Sequence, residues 1–347
     1  MDSAEPLLSV RGLSTRFDAA TAGLDGVSFD IPRATIVALV GDSGSGKSLT
    51  ALSILGLLPA GAHCVAGQLL FQGRDLLAAS AAERHAVRGR GIAMIFQEPA
   101  TALSAVHTVG WQLAIALKAG GQLGPIGLLQ SLRRASRVSA RELLARVELP
   151  EPDRLLDLYP HQLSAGMRRR VMIAMALACR PALLIADEPT TGLDAPIQAQ
   201  ILDLLARLAR SEDRSVLFIT HDLCVAAEVA SEIVVLYGGQ VVEAGPVRSV
   251  LGNPQHPYTI GLLENIPDSG YAGASPVTET HSAVSPCAAG PSAESTASEQ
   301  GCRYAPHCPQ WRRDPQRFVR CAVERPLLEP AEARHRSRCF YPRLAGH

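Results

Sequence analysis

The octapeptide Gly41-Asp42-Ser43-Gly44-Ser45-Gly46-Lys47-Ser48 constrains this chain more than any other stretch. It follows an apolar run, Ile36 to Val40, and precedes a helix-like run, Leu49 to Leu58. Strand, glycine-rich loop and helix in that order are the setting of a phosphate-binding loop. Gly41, Gly44 and Gly46 let the backbone wrap closely, so that successive N–H groups point at an anion. The following helix adds its own N–H groups and the positive end of its dipole. Lys47 supplies a compact cation for the β- and γ-phosphates, and Ser48 a hydroxyl for Mg²⁺. Ser43, Ser45 and Leu49 complete the stretch expected to touch the nucleotide.

The chain has 347 residues, 33 basic and 33 acidic, and is 47% apolar. That is ample for a large core, and the neutral balance does not suggest a partner held by net charge, such as nucleic acid or a membrane surface. Lys47 and Lys118 are the only lysines among the basic residues. Retaining one in the loop fits a site that needs a point charge and not a planar guanidinium. The start of the chain lacks the basic and apolar regions of a signal peptide. The most apolar long stretch, Val171 to Ala186, is shorter than a membrane span and contains Arg180. A cytosolic protein is expected, with any membrane association coming through a partner.

Strands are predicted at residues 7–10, 27–31, 35–40, 68–71 and 91–97. The early ones suggest a small antiparallel layer feeding the phosphate loop. Residues 99–170 are rich in Ala, Leu and Arg at helical spacing and read as an inserted helical subdomain. From 171 helices and strands alternate: helix 171–180, strand 182–187, helix 196–211, strand 215–220, helix 222–231, strand 232–237. The fold class is therefore α/β with a mainly parallel sheet. Residues 1–266 are read as this domain, 267–300 as a flexible linker of Ser, Ala, Pro, Gly and Thr, and 301–347 as a small Cys-rich module.

Leu183-Leu184-Ile185-Ala186-Asp187-Glu188 reads as a buried strand ending in two carboxylates. A strand tip sends neighbouring side chains to opposite sides, so Asp187 can serve the Mg²⁺ shell while Glu188 polarises water. Leu163-Ser164-Ala165-Gly166-Met167-Arg168 precedes a helical run, with Ser164 placed to cap it. With the two motifs above, this segment resembles the signature of ATP-binding cassette (ABC) ATPases, over roughly residues 7–245. The resemblance implies a P-loop ATPase core with an antiparallel β layer and a helical subdomain. It implies that Gln97 is the Q-loop glutamine at the end of a strand and a further Mg²⁺ contact. It also makes Asp194 the D-loop aspartate, His221 the switch histidine that contacts the γ-phosphate, and Phe17 the aromatic residue on adenine. Ser164, Ala165 and Gly166 would close on ATP held by a second chain, and Lys47, Gln97, Glu188 and His221 would carry hydrolysis.

Phe96-Gln97-Glu98-Pro99-Ala100-Thr101-Ala102-Leu103 and Asn253-Pro254-Gln255-His256-Pro257-Tyr258-Thr259 resemble the dipeptide/oligopeptide/nickel importer branch. That branch implies a second, homologous ATPase, two membrane permease subunits, a separate binding protein and a place on the cytoplasmic face of the inner membrane. Import of peptides is the leading expectation. Import of nickel or metallophore complexes is the alternative within the branch, and a soluble ABC ATPase the alternative outside it. The chain departs from the family at Ala165, where a glycine is usual, and at Arg169, where glutamine is usual. If position 165 needs a left-handed backbone, alanine there costs about 1–2 kcal/mol.

Of eight cysteines, Cys302, Cys308, Cys321 and Cys339 cluster. In a cytosolic chain they suit an iron–sulfur cluster or Zn²⁺, and their spacing alone selects neither. The importer resemblance, through Gly301-Cys302-Arg303-Tyr304 and Cys308-Pro309, implies a [4Fe–4S] cluster. Cys179 and Cys224 are expected to be buried small side chains.

Overall fold

The apolar run before the octapeptide is a strand, β3 (Ile36–Val40), with all five residues buried. It leads through the loop to helix α1 (Lys47–Leu55). The computed structural model describes residues 5–18, 23–122, 135–211, 214–264, 301–332 and 334–342. The linker expected at 267–300 lies outside them. The chain divides into two compact units, Met1–Leu8, Ile31–Ile36 and Phe71–Ile219 in one, and Ser9–Asp30, Val37–Leu70 and Thr220–His347 in the other.

The loop-bearing unit holds β1 (Leu8–Phe17), β2 (Val27–Ile31) and β4 (Ala62–Phe71), in the sheet order β2-β1-β4. In this unit β3 belongs to a second sheet, with β9 (Glu232–Tyr237), β10 (Gln240–Pro246), β11 (Glu329–Glu332) and β12 (His335–Ser337), in the order β11-β12-β10-β9-β3. β3 runs parallel to β9, and β9, β10, β12 and β11 are antiparallel in turn. Gly238 and Gly239 turn β9 into β10 with φ of 51° and 77°, the left-handed pair that a two-residue hairpin turn demands. Residues from the Cys-rich end thus extend the sheet: Glu243 faces Ser337 and Ala244 faces Arg336 in the β10–β12 register. A core of Ala38, Val40, Val235, Val242, Tyr258 and Tyr304, among others, joins the phosphate-loop strand to that end of the chain.

The other unit holds the short β5 (Arg74–Asp75) and three strands, β6 (Ile92–Ile95), β7 (Leu183–Asp187) and β8 (Ser215–Thr220), parallel in the order β8-β7-β6. β7 is buried throughout, as an apolar run covered on both faces must be. The helix Ala165–Ala178 packs on β6 and on the helices Val109–Ala119 and Ala135–Arg146 of the expected helical segment. Among the described residues no helix is long and apolar enough to cross a membrane.

Candidate functional site

The phosphate loop is shaped by contacts that only glycine permits. A Cβ on Gly41 would lie 2.1 Å from the Leu236 carbonyl oxygen. Gly44 and Gly46 have φ of 78° and 106°, where an L side chain is strained. Gly46 is the N-cap of α1, and no side chain caps that helix. Its amide end is therefore available to an anion. Gly239, in the β9–β10 turn, donates its N–H to the Ser45 carbonyl at 2.8 Å and backs the loop. Lys47 is buried, and its Nζ donates to the carbonyls of Gly41 and Asp42 at 2.6 and 2.8 Å. Ser45 Oγ is buried with no hydrogen-bond partner among the described residues. Ser43 and Ser48 are exposed, and Leu49 is half-buried. Phe17 ends β1 half-buried and lies near Gly23 in the same unit.

The carboxylates occupy the end of β7, in the other unit. Asp187 is buried, and Glu188 follows at φ 44°, a left-handed backbone that a non-glycine residue adopts at a cost of roughly 1–3 kcal/mol. One Glu188 oxygen, Oε2, accepts from Gln97 Nε2 and from Thr191 Oγ1, both at 2.9 Å. Gln97 does not end a strand as expected. β6 stops at Ile95, and Gln97 is exposed two residues beyond it. There its backbone bonds to a side chain instead of a ladder: Arg169 Nη1 donates to the carbonyls of Phe96 and Gln97 at 3.0 and 2.9 Å. Arg169 Nη2 lies 3.4 Å from the Thr191 carbonyl, and burial lowers the pKa of this guanidinium. The residue that departs from the family pattern thus ties the signature helix to both segments that flank Glu188. Sequence reading noted the departure and missed this role.

Ser164 caps the helix Ala165–Ala178, its Oγ accepting from Met167 N at 3.2 Å. The helix starts at Ala165, as the Ser164 cap predicts, and six residues before the apolar run read from 171, where Arg168, Arg169 and Arg170 hide its beginning from an apolar pattern. Ser164 and Ala165 are exposed, while a Cβ on Gly166 would meet Ile197 at 2.9 Å. Ala165 is a helical residue outside the positive-φ set, so it carries no left-handed penalty. Ala165→Gly relieves no strain and is accordingly expected to leave ATPase activity unchanged within about two-fold, since glycine at a helix start costs at most about 1 kcal/mol. Steady-state phosphate release checks it, and a large loss would contradict this geometry. Asp194 is exposed, and its carbonyl accepts from Gln198 N at the head of the helix Ala195–Ser211. His221 is exposed just after β8, and Asp222 caps the next helix through Cys224 N and Val225 N.

The four clustered cysteines line one cavity, together with His256 and Tyr304. Burial and the neighbouring thiols push Cys321 up to about 11 and Cys339 up to about 12. Cys302 is raised by burial and by Cys308. Among the described residues no three His, Cys, Asp or Glu side chains meet as a single metal ion would require. Cys179 and Cys224 are half-buried and not fully buried as expected, since each lies near a helix end.

Residues 253–259, which carry the importer resemblance, hold a network that nothing in their sequence indicates. The fully buried Glu243 accepts from the backbone N–H of Gln255 at 2.7 Å and of His256 at 2.9 Å. Its Oε1 also lies 2.6 Å from His335 Nε2. Burial, with the Arg338 charge, holds His256 down to about 3, and its neutral Nδ1 accepts from Tyr258 N at 3.1 Å.

Residues 24–191 match the ABC transporter family model, and residues 242–314 match the model for the oligopeptide/dipeptide transporter C-terminal region. The chain is 42% identical to a probable peptide ABC transporter ATP-binding protein, y4tR, of Sinorhizobium fredii, over 97% of this chain and 95% of that one. It is 41% identical to the dipeptide transport ATP-binding protein DppD of Escherichia coli, over 97% of each. Among solved structures it is similar to the ATP-binding cassette MJ0796 in a dimeric, post-hydrolysis state bound to ADP and Pi. That likeness has a TM-score of 0.60 and 26% identity, over 70% of this chain and 99% of that one.

Proposed function

This chain belongs to the ATP-binding subunits of peptide ABC transporters, and on that premise we propose how its residues hydrolyse ATP and couple hydrolysis to import. Gly44, Gly46 and the head of α1 receive the phosphates, with Lys47 as their cation and Phe17 stacked on the base. Exposed Ser48, Gln97 and buried Asp187 offer the oxygen donors that suit Mg²⁺. When bound, that ion would neutralise charge on the β- and γ-phosphate oxygens. Glu188 orients the attacking water, and Gln97 and Thr191 hold its carboxylate in place. His221 contacts the γ-phosphate. Exposed Ser164 and Ala165, with Gly166, close on the nucleotide of a second, homologous ATPase, and Asp194 faces that partner.

The remaining partners are two permease subunits and a separate binding protein, and the chain itself sits peripherally on the cytoplasmic face of the inner membrane. The observation that carries the peptide reading is the joint match to the ABC transporter model and the oligopeptide/dipeptide C-terminal model. It is tested by co-expressing the chain with its permeases and reconstituting the complex in vesicles. Dipeptide-loaded binding protein is expected to stimulate ATP hydrolysis several-fold. Stimulation by nickel or a metallophore complex alone would replace peptide as the cargo, and failure to associate with permeases would favour a soluble ATPase.

The Cys302, Cys308, Cys321 and Cys339 thiols would hold a [4Fe–4S] cluster. The donor set suits iron–sulfur ligation. All four line one cavity.

A further inference from the structure

Tyr258 is buried within residues 253–259, and its hydroxyl reaches the phosphate loop. Tyr258 Oη donates to Asp42 Oδ2 at 2.8 Å and accepts from Asp42 N–H at 2.9 Å. One phenol thus binds both the side chain and the backbone of the second loop residue. The Asp42 carbonyl, with that of Gly41, holds Lys47 Nζ. Fixing the peptide plane at Asp42 therefore fixes where the loop cation rests. Burial and the Asp42 charge raise the pKa of Tyr258, which keeps it a donor to the carboxylate.

The ring of Tyr258 is equally committed. Its centroid lies 4.7 Å from that of Tyr237 and 5.5 Å from that of Tyr304. Tyr237 and Tyr304 meet edge-on at 5.1 Å. Tyr304 lines the four-thiol cavity, and Cys302 and Cys308 pack on the core that contains Tyr258 and Tyr304. The backbone N–H groups of Gln255 and His256, just before Tyr258, are anchored on buried Glu243. The tyrosine is held at its root, bonded to the loop at its tip, and touched along its ring by the cavity wall. A closely packed aromatic group transmits displacement because interiors have little free volume.

We propose that Tyr258 is a positioning residue for the phosphate loop, through which the four-thiol cavity sets the affinity of that loop for ATP. The proposal rests on the reading of residues 41–48 as the ATP site. It concerns a residue that touches Asp42 and not the nucleotide.

The test is ATP turnover by the full-length chain, with KM and kcat read separately. Tyr258→Phe keeps the ring and removes the hydroxyl. KM for ATP is expected to rise at least about five-fold, since the hydroxyl's two hydrogen bonds are lost and each is worth a factor of a few, with kcat unchanged within about two-fold and the thermal transition within a few degrees. Asp42→Ala is expected to raise KM similarly, and the double variant to be no worse than the more affected single, as one shared interaction requires. Cys308→Ser, which alters the cavity wall, is expected to raise KM in the wild-type background and to add nothing in Tyr258→Phe. Unmoved KM in Tyr258→Phe, additive effects with Asp42→Ala, or an equal effect of Cys308→Ser in both backgrounds would overturn the proposal. A wild-type chain that neither binds nor hydrolyses ATP would overturn the ATPase reading beneath it.

Discussion

Glu188→Gln is expected to stop ATP turnover while leaving ATP bound. The substitution keeps the size of the side chain and its place after β7, and removes the charge that draws a proton from water. Loss of a positioned base costs on the order of 10² to 10⁴ in rate. The neighbourhood gives the substitution a particular signature. Glu188 accepts two hydrogen bonds on one carboxylate oxygen, from Gln97 and Thr191. A glutamine can present its carbonyl oxygen to both donors, so the local structure and the φ of 44° are expected to survive. ATP should then accumulate unhydrolysed, and the chain should associate with the second ATPase proposed above in a nucleotide-dependent way. Phosphate release, together with size-exclusion chromatography in ATP, checks both halves. Undiminished hydrolysis would remove Glu188 from the role of base.

Cys339→Ser is expected to abolish the iron–sulfur cluster proposed for the four-cysteine cavity. Anaerobically purified wild-type protein should be brown, with absorbance from thiolate-to-iron charge transfer. Replacing one of four ligands should lower bound iron at least ~10-fold, since even outer-shell changes at metal sites cost that much. The reason lies in the cavity. Cys339 is pushed up to about 12 by burial first and then by Cys302, Cys321 and Cys308. As thiolates the four would repel one another, and a bound metal centre is what would make the charged form favourable. Iron and sulfide analysis with the visible spectrum checks this. Colourless wild-type protein containing stoichiometric zinc would reject the cluster. ATP binding at residues 41–48 should persist in Cys339→Ser, although the coupling through Tyr258 predicts a higher KM.

The strands legible from sequence alone are those whose burial is continuous or strictly alternating. Residues 27–31, 215–220 and 232–237 were read with the bounds of β2, β8 and β9, because each is an apolar run or alternation bounded by breaking residues. β1 was read short, at 7–10, and runs on to Phe17 because exposed Arg11 and Arg16 carry a strand without an apolar pattern. β4 was similarly seen only at its buried end. It begins at Ala62, and most of its first seven residues are exposed or half-exposed. The catalytic elements divide the same way. The phosphate loop, the paired carboxylates and the Ser164 cap are local chemistry in local contexts. The roles of Arg169 and Tyr258 were not legible, since nothing near either residue in sequence indicates what it bonds.

By itself the sequence determined that this chain binds a nucleotide, since a strand, eight residues and a helix suffice to make a phosphate cradle. It also carried the motif order that marks an ABC ATPase. Tertiary structure alone decided what holds that machinery in place. Gln97 meets Glu188 across 91 positions, and Tyr258 meets Asp42 across 216. Such pairs leave no periodicity or spacing to read. A hydrogen bond depends on two atoms lying about 3 Å apart, and only the folded chain brings them there.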